Sequence, residues 1–146
     1  MNQKRGKHPY ANISPVENLK PRENVDCIIT AAGLSSRMGQ WKMMLPYKEG
    51  TILDSSIENA RQFCSRIILV VGYRGDELYD RYNTASDVTV VVNNNYVSGL
   101  FSSIQAAGPI VKTDYCFITH GDIPCLNRDI FHQVWLKRGP YALLPC

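Results

Sequence analysis

The chain has 146 residues, of which 45% are hydrophobic and 20% charged, and a formal net charge of +3. That is one domain's length with ordinary globular composition, which excludes a wholly disordered or fibrous chain. The excess charge lies in residues 1–24, where Lys4, Arg5, Lys7, Lys20 and Arg22 outweigh Glu17 and Glu23; the remainder is balanced, so no general nucleic-acid-binding surface is expected.

The 5 cysteines, Cys27, Cys64, Cys116, Cys125 and Cys146, are odd in number and show no C-x-x-C spacing. Zinc ribbons and redox dithiols therefore lose support, and most of the five read as small core residues in a reducing cytoplasm. No apolar run approaches the roughly 20 residues that span a bilayer. The basic start lacks the apolar stretch of a signal peptide, so no membrane partner is expected.

Residues 1–24 read as a flexible tail interrupted by Pro9, Pro15 and Pro21, and residues 25–146 as the folded domain. Lys4-Arg5-Gly6-Lys7-His8 is either a solvated end or a contact for phosphate or an anionic surface. From Val25 to Ala31 a short apolar run with β-branched residues reads as a buried strand. Residues 52–64 have helical spacing: Leu53, Ile57, Ala60 and Cys64 form a stripe facing a sheet, and Glu58, Arg61 and Gln62 fall toward water.

A second strand is expected over Ile67–Gly72 and a short helix over Asp76–Tyr82. A third strand follows at Val88–Val92, then a helix from Leu100 to Ile110. The fourth strand is Tyr115–Thr119, and Ile130–Lys137 is helical. Tyr141–Leu144 starts a possible fifth strand with no closing helix, so the chain reads as a fragment of a larger α/β domain. Strands alternating with helices predict an α/β, Rossmann-like, mainly parallel sheet with helices on both faces. Ligands of such sheets bind beyond the carboxyl ends of the strands.

Four loops lie at those ends. After the first strand, Ala31-Ala32-Gly33-Leu34-Ser35-Ser36-Arg37-Met38-Gly39-Gln40-Trp41-Lys42 combines small residues with two cations. Its N–H groups can form an anion nest, Arg37 offers a fork of donors, and Lys42 adds a point charge. This is either a polyphosphate cradle or an ordinary turn; neither the Walker loop nor the dinucleotide fingerprint is present. After the fourth strand, Asp122 in His120-Gly121-Asp122-Ile123-Pro124 can hold Mg²⁺, which takes one or two carboxylates plus phosphate and water, or it can be a turn residue. His120 can orient Asp122 or cap a helix. After the third strand, Gly99 permits close approach at a helix start, and Ser102 and Ser103 either cap that helix or meet a ligand. Gly72-Tyr73-Arg74-Gly75-Asp76 is either a solvated turn or one from which Arg74 and Asp76 reach the cleft.

Together these motifs resemble the nucleotidyltransferase family that matures molybdenum cofactors, and in particular its cytidylyl-transferring members. The likeness rests on the run from Ile28 to Pro46, on Val71-Gly72-Tyr73-Arg74-Gly75, on Gly99-Leu100-Phe101-Ser102-Ser103 and on His120-Gly121-Asp122-Ile123-Pro124, in the same order. It covers about residues 25–145.

The resemblance implies a fold of the nucleotide-diphospho-sugar transferase type. It implies transfer of a cytidylyl group from CTP to molybdopterin-bound molybdenum, with Mg²⁺ as cofactor and release of pyrophosphate. It further implies that Ala31, Ala32, Gly33, Gly99 and Ser103 line the nucleotide, that Arg37 and Lys42 hold the triphosphate, and that Asp122 holds the metal. Ala32 stands where guanylyl-transferring relatives carry Gly, which favours CTP. Family members continue past the position of Cys146 with a Gly-His-Pro segment, an acidic segment and a part that helps select a recipient molybdoenzyme. Two other readings remain open: a nucleotidyltransferase acting on a sugar or polyol phosphate, and a truncated, non-catalytic module that binds nucleotide or cofactor.

Overall fold

The computed structural model describes residues 11–33 and 40–140. Six strands and four helices follow in chain order: β1 (Glu23–Ala31), β2 (Pro46–Tyr47), β3 (Gly50–Thr51), α1 (Ile52–Arg61), β4 (Cys64–Val71), α2 (Gly75–Tyr82), β5 (Val88–Val92), α3 (Leu100–Ala107), β6 (Cys116–His120) and α4 (Arg128–Leu136). The main sheet is wholly parallel, in the order β5-β4-β1-β6. The expected mainly parallel sheet is thus present. The sequence reading did not foresee the β2–β3 hairpin. The possible fifth strand at 141–144 and the end of the chain lie outside the described residues.

The topology fixes where a ligand can enter. From β1 the chain steps outward to β4 and then to β5. It next crosses back over both through α3 to place β6 on the other side of β1. Direction therefore reverses between β1 and β6, and the crevice at a reversal lies beyond the carboxyl ends of the two strands. Register aligns those ends, because Thr30 pairs with His120 and Ala31 with Val71.

Strand alternation divides the interior. Cys27, Ile29 and Ala31 of β1 face one side, where Leu53, Ile57 and Ala60 of α1, Leu78 and Tyr82 of α2 and Phe131 of α4 cover them. Ile28 and Ala32 face the other side, with Ile68, Val70 and Ala107 of α3. Helices thus cover both faces. A reciprocal capping box starts α1: Asp54 N–H donates to Thr51 Oγ1 and Thr51 N–H to Asp54 Oδ2, each at 3.0 Å. Asp54 also accepts from Tyr82 Oη at 2.6 Å and Arg81 Nη2 at 2.7 Å, which ties α1 to α2.

Arg61 corrects the sequence reading. It does not face water but is 0% exposed. Its Nε donates to Asp87 Oδ2 at 2.8 Å, and its Nη1 to the Ser14 carbonyl at 2.7 Å and to Glu58 Oε1 at 3.1 Å. Arg22 Nη1 reaches the same Asp87 oxygen at 2.8 Å. Residues 11–22 are thereby docked on the domain, where composition alone predicts a solvated tail: Ser14 Oγ donates to Glu58 at 2.7 Å, and Ala11 and Ile13 pack on the core. Cys27 and Cys64 are buried as expected, whereas Cys116 and Cys125 are exposed, and all four are free thiols. Among the described residues no helix is long and apolar enough to cross a membrane.

Candidate functional site

A cleft of about 380 Å³ opens where the topology requires it, at the carboxyl ends of β1 and β6. Its floor is Thr30, Ala32 and Gly33, one wall is His120 and Asp122, and the other is Tyr96, Gly99, Leu100 and Ser103 at the start of α3. A larger hollow of about 950 Å³ runs along β6 and α4. Its walls, including Phe117, Ile130, Phe131, Val134 and Trp135, belong largely to the open flank of the hydrophobic core. The smaller cleft is the one where polar groups from three separate loops converge.

Five of the eight residues singled out from sequence meet there: Ala32, Gly33, Gly99, Ser103 and Asp122. Ala31 does not. It is 0% exposed and its side chain packs on the α1 side, because neighbouring strand residues point to opposite faces. Lys42 is exposed just before Met43, which lines the cleft, but is not itself part of the wall. Arg37 lies outside the described residues.

Each wall is set by local chemistry. At Gly33 a Cβ would meet none of the described residues within 4 Å, and Gly33 lines the cleft. The Ala32 carbonyl accepts the Tyr73 N–H at 2.7 Å, which anchors the β1 exit to the β4 exit. Tyr73 meets Trp41 edge-on at 5.5 Å between ring centroids, and the Arg74 guanidinium stands 4.5 Å over the Trp41 ring. The turn that carries Tyr73 and Arg74 therefore clamps Trp41 and so positions the Lys42–Met43 rim.

Gly72 in that turn is required by a close approach, since a Cβ there would lie 2.7 Å from Tyr96 Cβ. Gly72→Ala is expected to displace Tyr96 from the cleft wall and to destabilise the fold by about 1–3 kcal/mol. Chemical denaturation together with the tyrosine ring shifts checks this, and an unchanged midpoint would show that the Tyr96 loop yields freely.

On the α3 side, Gly99 has φ +100° and ψ −173°, a conformation open essentially to glycine alone. It directs the chain into α3, whose first turn lines the cleft with Leu100 and Ser103. Asn93 is the residue that sequence reading missed. It is buried, and its Nδ2 donates to Ser102 Oγ at 2.9 Å and Ser103 Oγ at 3.1 Å, while its Oδ1 accepts from Asn95 N–H at 2.9 Å. The signal was the Asn-x-Asn stretch after a strand, an Asx-turn pattern.

On the β6 side, Gly121 N–H donates to the Thr30 carbonyl at 3.0 Å, and the Gly121 carbonyl accepts from Ser56 Oγ at 2.8 Å. A Cβ at Gly121 would lie 2.7 Å from Leu53 Cδ1. Asp122 is thus held at the strand end by packed backbone. Its own carboxylate is exposed and makes no hydrogen bond or ion pair with the described residues. An uncompensated negative charge at the mouth of a cleft suits a cation. Among the described residues there is no group of three His, Cys, Asp or Glu that would hold a metal unaided, so ligand oxygens and water would complete its shell.

A family model described as the MobA-like NTP transferase domain matches residues 27–143. A molybdenum cofactor cytidylyltransferase of Escherichia coli (strain K12) is 62% identical over 121 residues, which are 83% of this chain and 63% of that protein. The chain thus spans less than two thirds of that relative's length. Among solved structures, a nucleotidyl transferase from Methanothermobacter thermautotroptrophicus superposes with a TM-score of 0.68 at 21% identity, over 77% of this chain and 56% of that one. The rv0371c homolog from mycobacterium sp. strain JC1 superposes with a TM-score of 0.65 at 26% identity, over 82% of this chain and 62% of that one. With a wholly parallel sheet, a cleft at its point of reversal and a match across most of its length, the chain belongs to the family of MobA-like NTP transferase domains.

Proposed function

We propose that this chain carries the nucleotide-binding part of an Mg²⁺-dependent cytidylyltransferase that moves a cytidylyl group from CTP to molybdopterin-bound molybdenum cofactor. The observation that carries the reading is the convergence of Gly33, the first turn of α3 and the unpaired Asp122 carboxylate on one cleft. The identity to the Escherichia coli enzyme supports the choice of acceptor and donor, and Ala32 at the cleft floor accords with CTP.

In this reading the Gly33 backbone and the α3 N–H groups receive phosphate oxygens, as helix starts and small-residue loops do. Arg37 and Lys42 add positive charge to the triphosphate. Asp122 would hold Mg²⁺, which when bound spreads the negative charge of the phosphates. An oxygen of the acceptor's terminal phosphate forms the new bond to the α-phosphorus of CTP; the bond between that phosphorus and the bridging oxygen breaks, and pyrophosphate leaves with the electron pair. The protein's part is positioning and electrostatics, and no side-chain nucleophile is needed. A recipient molybdoenzyme and a cytoplasmic setting belong to the same proposal.

Pyrophosphate release tests it. Release is expected with CTP and molybdopterin-molybdenum, and little with GTP. Release only with a sugar or polyol phosphate would transfer the site to that acceptor class. CTP binding without any product would mark a non-catalytic module.

A further inference from the structure

His120 enters the cleft with one ring nitrogen already committed. It pairs in register with Thr30 across the β1–β6 boundary, and Thr30 Oγ1 lies 2.7 Å from His120 Nδ1. Both residues line the cleft beside Asp122. The second polar contact of that hydroxyl, to the Thr119 carbonyl, is long at 3.4 Å. A hydroxyl has one proton: at 3.4 Å the carbonyl is a poor acceptor for it and Nδ1 at 2.7 Å a good one, and a ring that accepts at Nδ1 carries its own proton on Nε2. No described residue bonds Nε2, and the ring is exposed.

The ring's place in the sheet narrows what it meets. Ala32 and Gly33 follow β1 and Ser103 sits on α3, whereas His120 ends β6, the edge strand beside β1, on which Ile118 is 47% exposed.

We infer that His120, locked by Thr30 as its Nε2–H form, donates a hydrogen bond to a phosphate oxygen bound in this cleft. The inference rests on reading the cleft as a nucleotide-phosphate site. It assigns the residue a contact with ligand and not merely the support of Asp122. The phosphate can belong to the triphosphate of CTP or to the second substrate, and the two are separable by experiment.

Nitrogen-15 shifts of the histidine rings at one fixed pH provide the test, with His120→Gln used for assignment. The free chain is expected to show Nε2 protonated, and Thr30→Val to give a mixture of the two tautomers without loss of folding. Adding inorganic phosphate or Mg-CTP is expected to move the His120 Nε2 resonance. Movement with CTP alone assigns the contact to the donor, and movement with inorganic phosphate on top of saturating CTP assigns it to the second substrate. His120→Gln is expected to weaken the ligand so identified roughly tenfold, as loss of one hydrogen bond to a charged group does. A protonated Nδ1 in the free chain overturns the inference. So does a motionless His120 ring in a sample where calorimetry shows CTP bound, while leaving the nucleotide reading intact. Absence of CTP binding in the unchanged chain overturns the nucleotide reading itself, and a ring that phosphate also leaves unmoved overturns this one with it.

Discussion

An Asp122→Asn chain is expected to lose the magnesium-dependent part of its CTP affinity, on the order of 100-fold, with its folding unchanged. A unit charge pair about 4 Å apart near a protein surface interacts by several kcal/mol, and a divalent ion doubles the charge. Solvent at an exposed site reduces that figure, but among the described residues no group of three His, Cys, Asp or Glu could take over the ion. The amide keeps the shape of the side chain and removes only the charge. The backbone that holds it, through Gly121, Thr30 and Ser56, is untouched. Calorimetric titration with CTP, with and without Mg²⁺, reads the difference. Equal magnesium dependence in both chains would remove Asp122 from the metal.

Arg61→Met is expected to destabilise the domain by about 3–5 kcal/mol, because it removes one partner of a buried ion pair and leaves the other. Asp87 is 7% exposed; without Arg61 it keeps only Arg22 at 2.8 Å, and its Oδ1 has no partner among the described residues. Replacing Asp87 by leucine in the same chain is expected to recover part of the loss, since no carboxylate is then buried short of donors and Arg22 still donates to the backbone carbonyls at position 61 and Cys64.

The pH dependence has a definite sign. Burial works against ionisation of Asp87, but hydrogen bonds and charge from Arg61 and Arg22 outweigh it and hold the carboxyl below its ordinary value. Asp26 behaves alike, with burial opposed by Arg66 and by the Lys112 and Thr113 backbone N–H groups. A depressed folded value means stability that is present above the unfolded value of about 3.9 and lost as pH falls through the folded one. The unchanged chain should therefore lose stability below about pH 4, and the gap between it and Arg61→Met should narrow over the same window. Urea denaturation across pH measures both, and a gap that stays constant on acidification would show that Asp87 is not the carboxylate through which Arg61 stabilises the fold.

Much of this architecture was legible because local patterns and the long-range fold agree. The largely apolar run at Cys27–Ala31 and the run Ile67–Val71 have the signature of strands buried on both faces, and both form the centre of the sheet. The loops after β1, β5 and β6 were readable as ligand loops because small residues and a carboxylate follow strand ends. Arg61 was not legible in the same way. It stands four residues after Ile57, on the inward line of α1, but its acid is 26 positions away and helical periodicity has no knowledge of it. Ala31 and Ala32 show the limit from another side: identical neighbours acquire opposite environments because a strand alternates. The role of Tyr73 and Arg74 in clamping Trp41 depends on a contact between two strand ends, which only the assembled sheet creates.

In the proposed function one cleft, between the exits of β1 and β6, takes a nucleoside triphosphate with its divalent ion. Manganese tests it most directly, because a paramagnetic ion broadens the NMR signals of residues near it. With Mn²⁺ and CTP together, the amides of Gly33, Ser103, Gly121 and Asp122 should broaden beyond detection while those of Asp87 and Glu58 stay sharp. Broadening centred elsewhere, or none in the presence of bound CTP, would place the divalent ion outside this cleft.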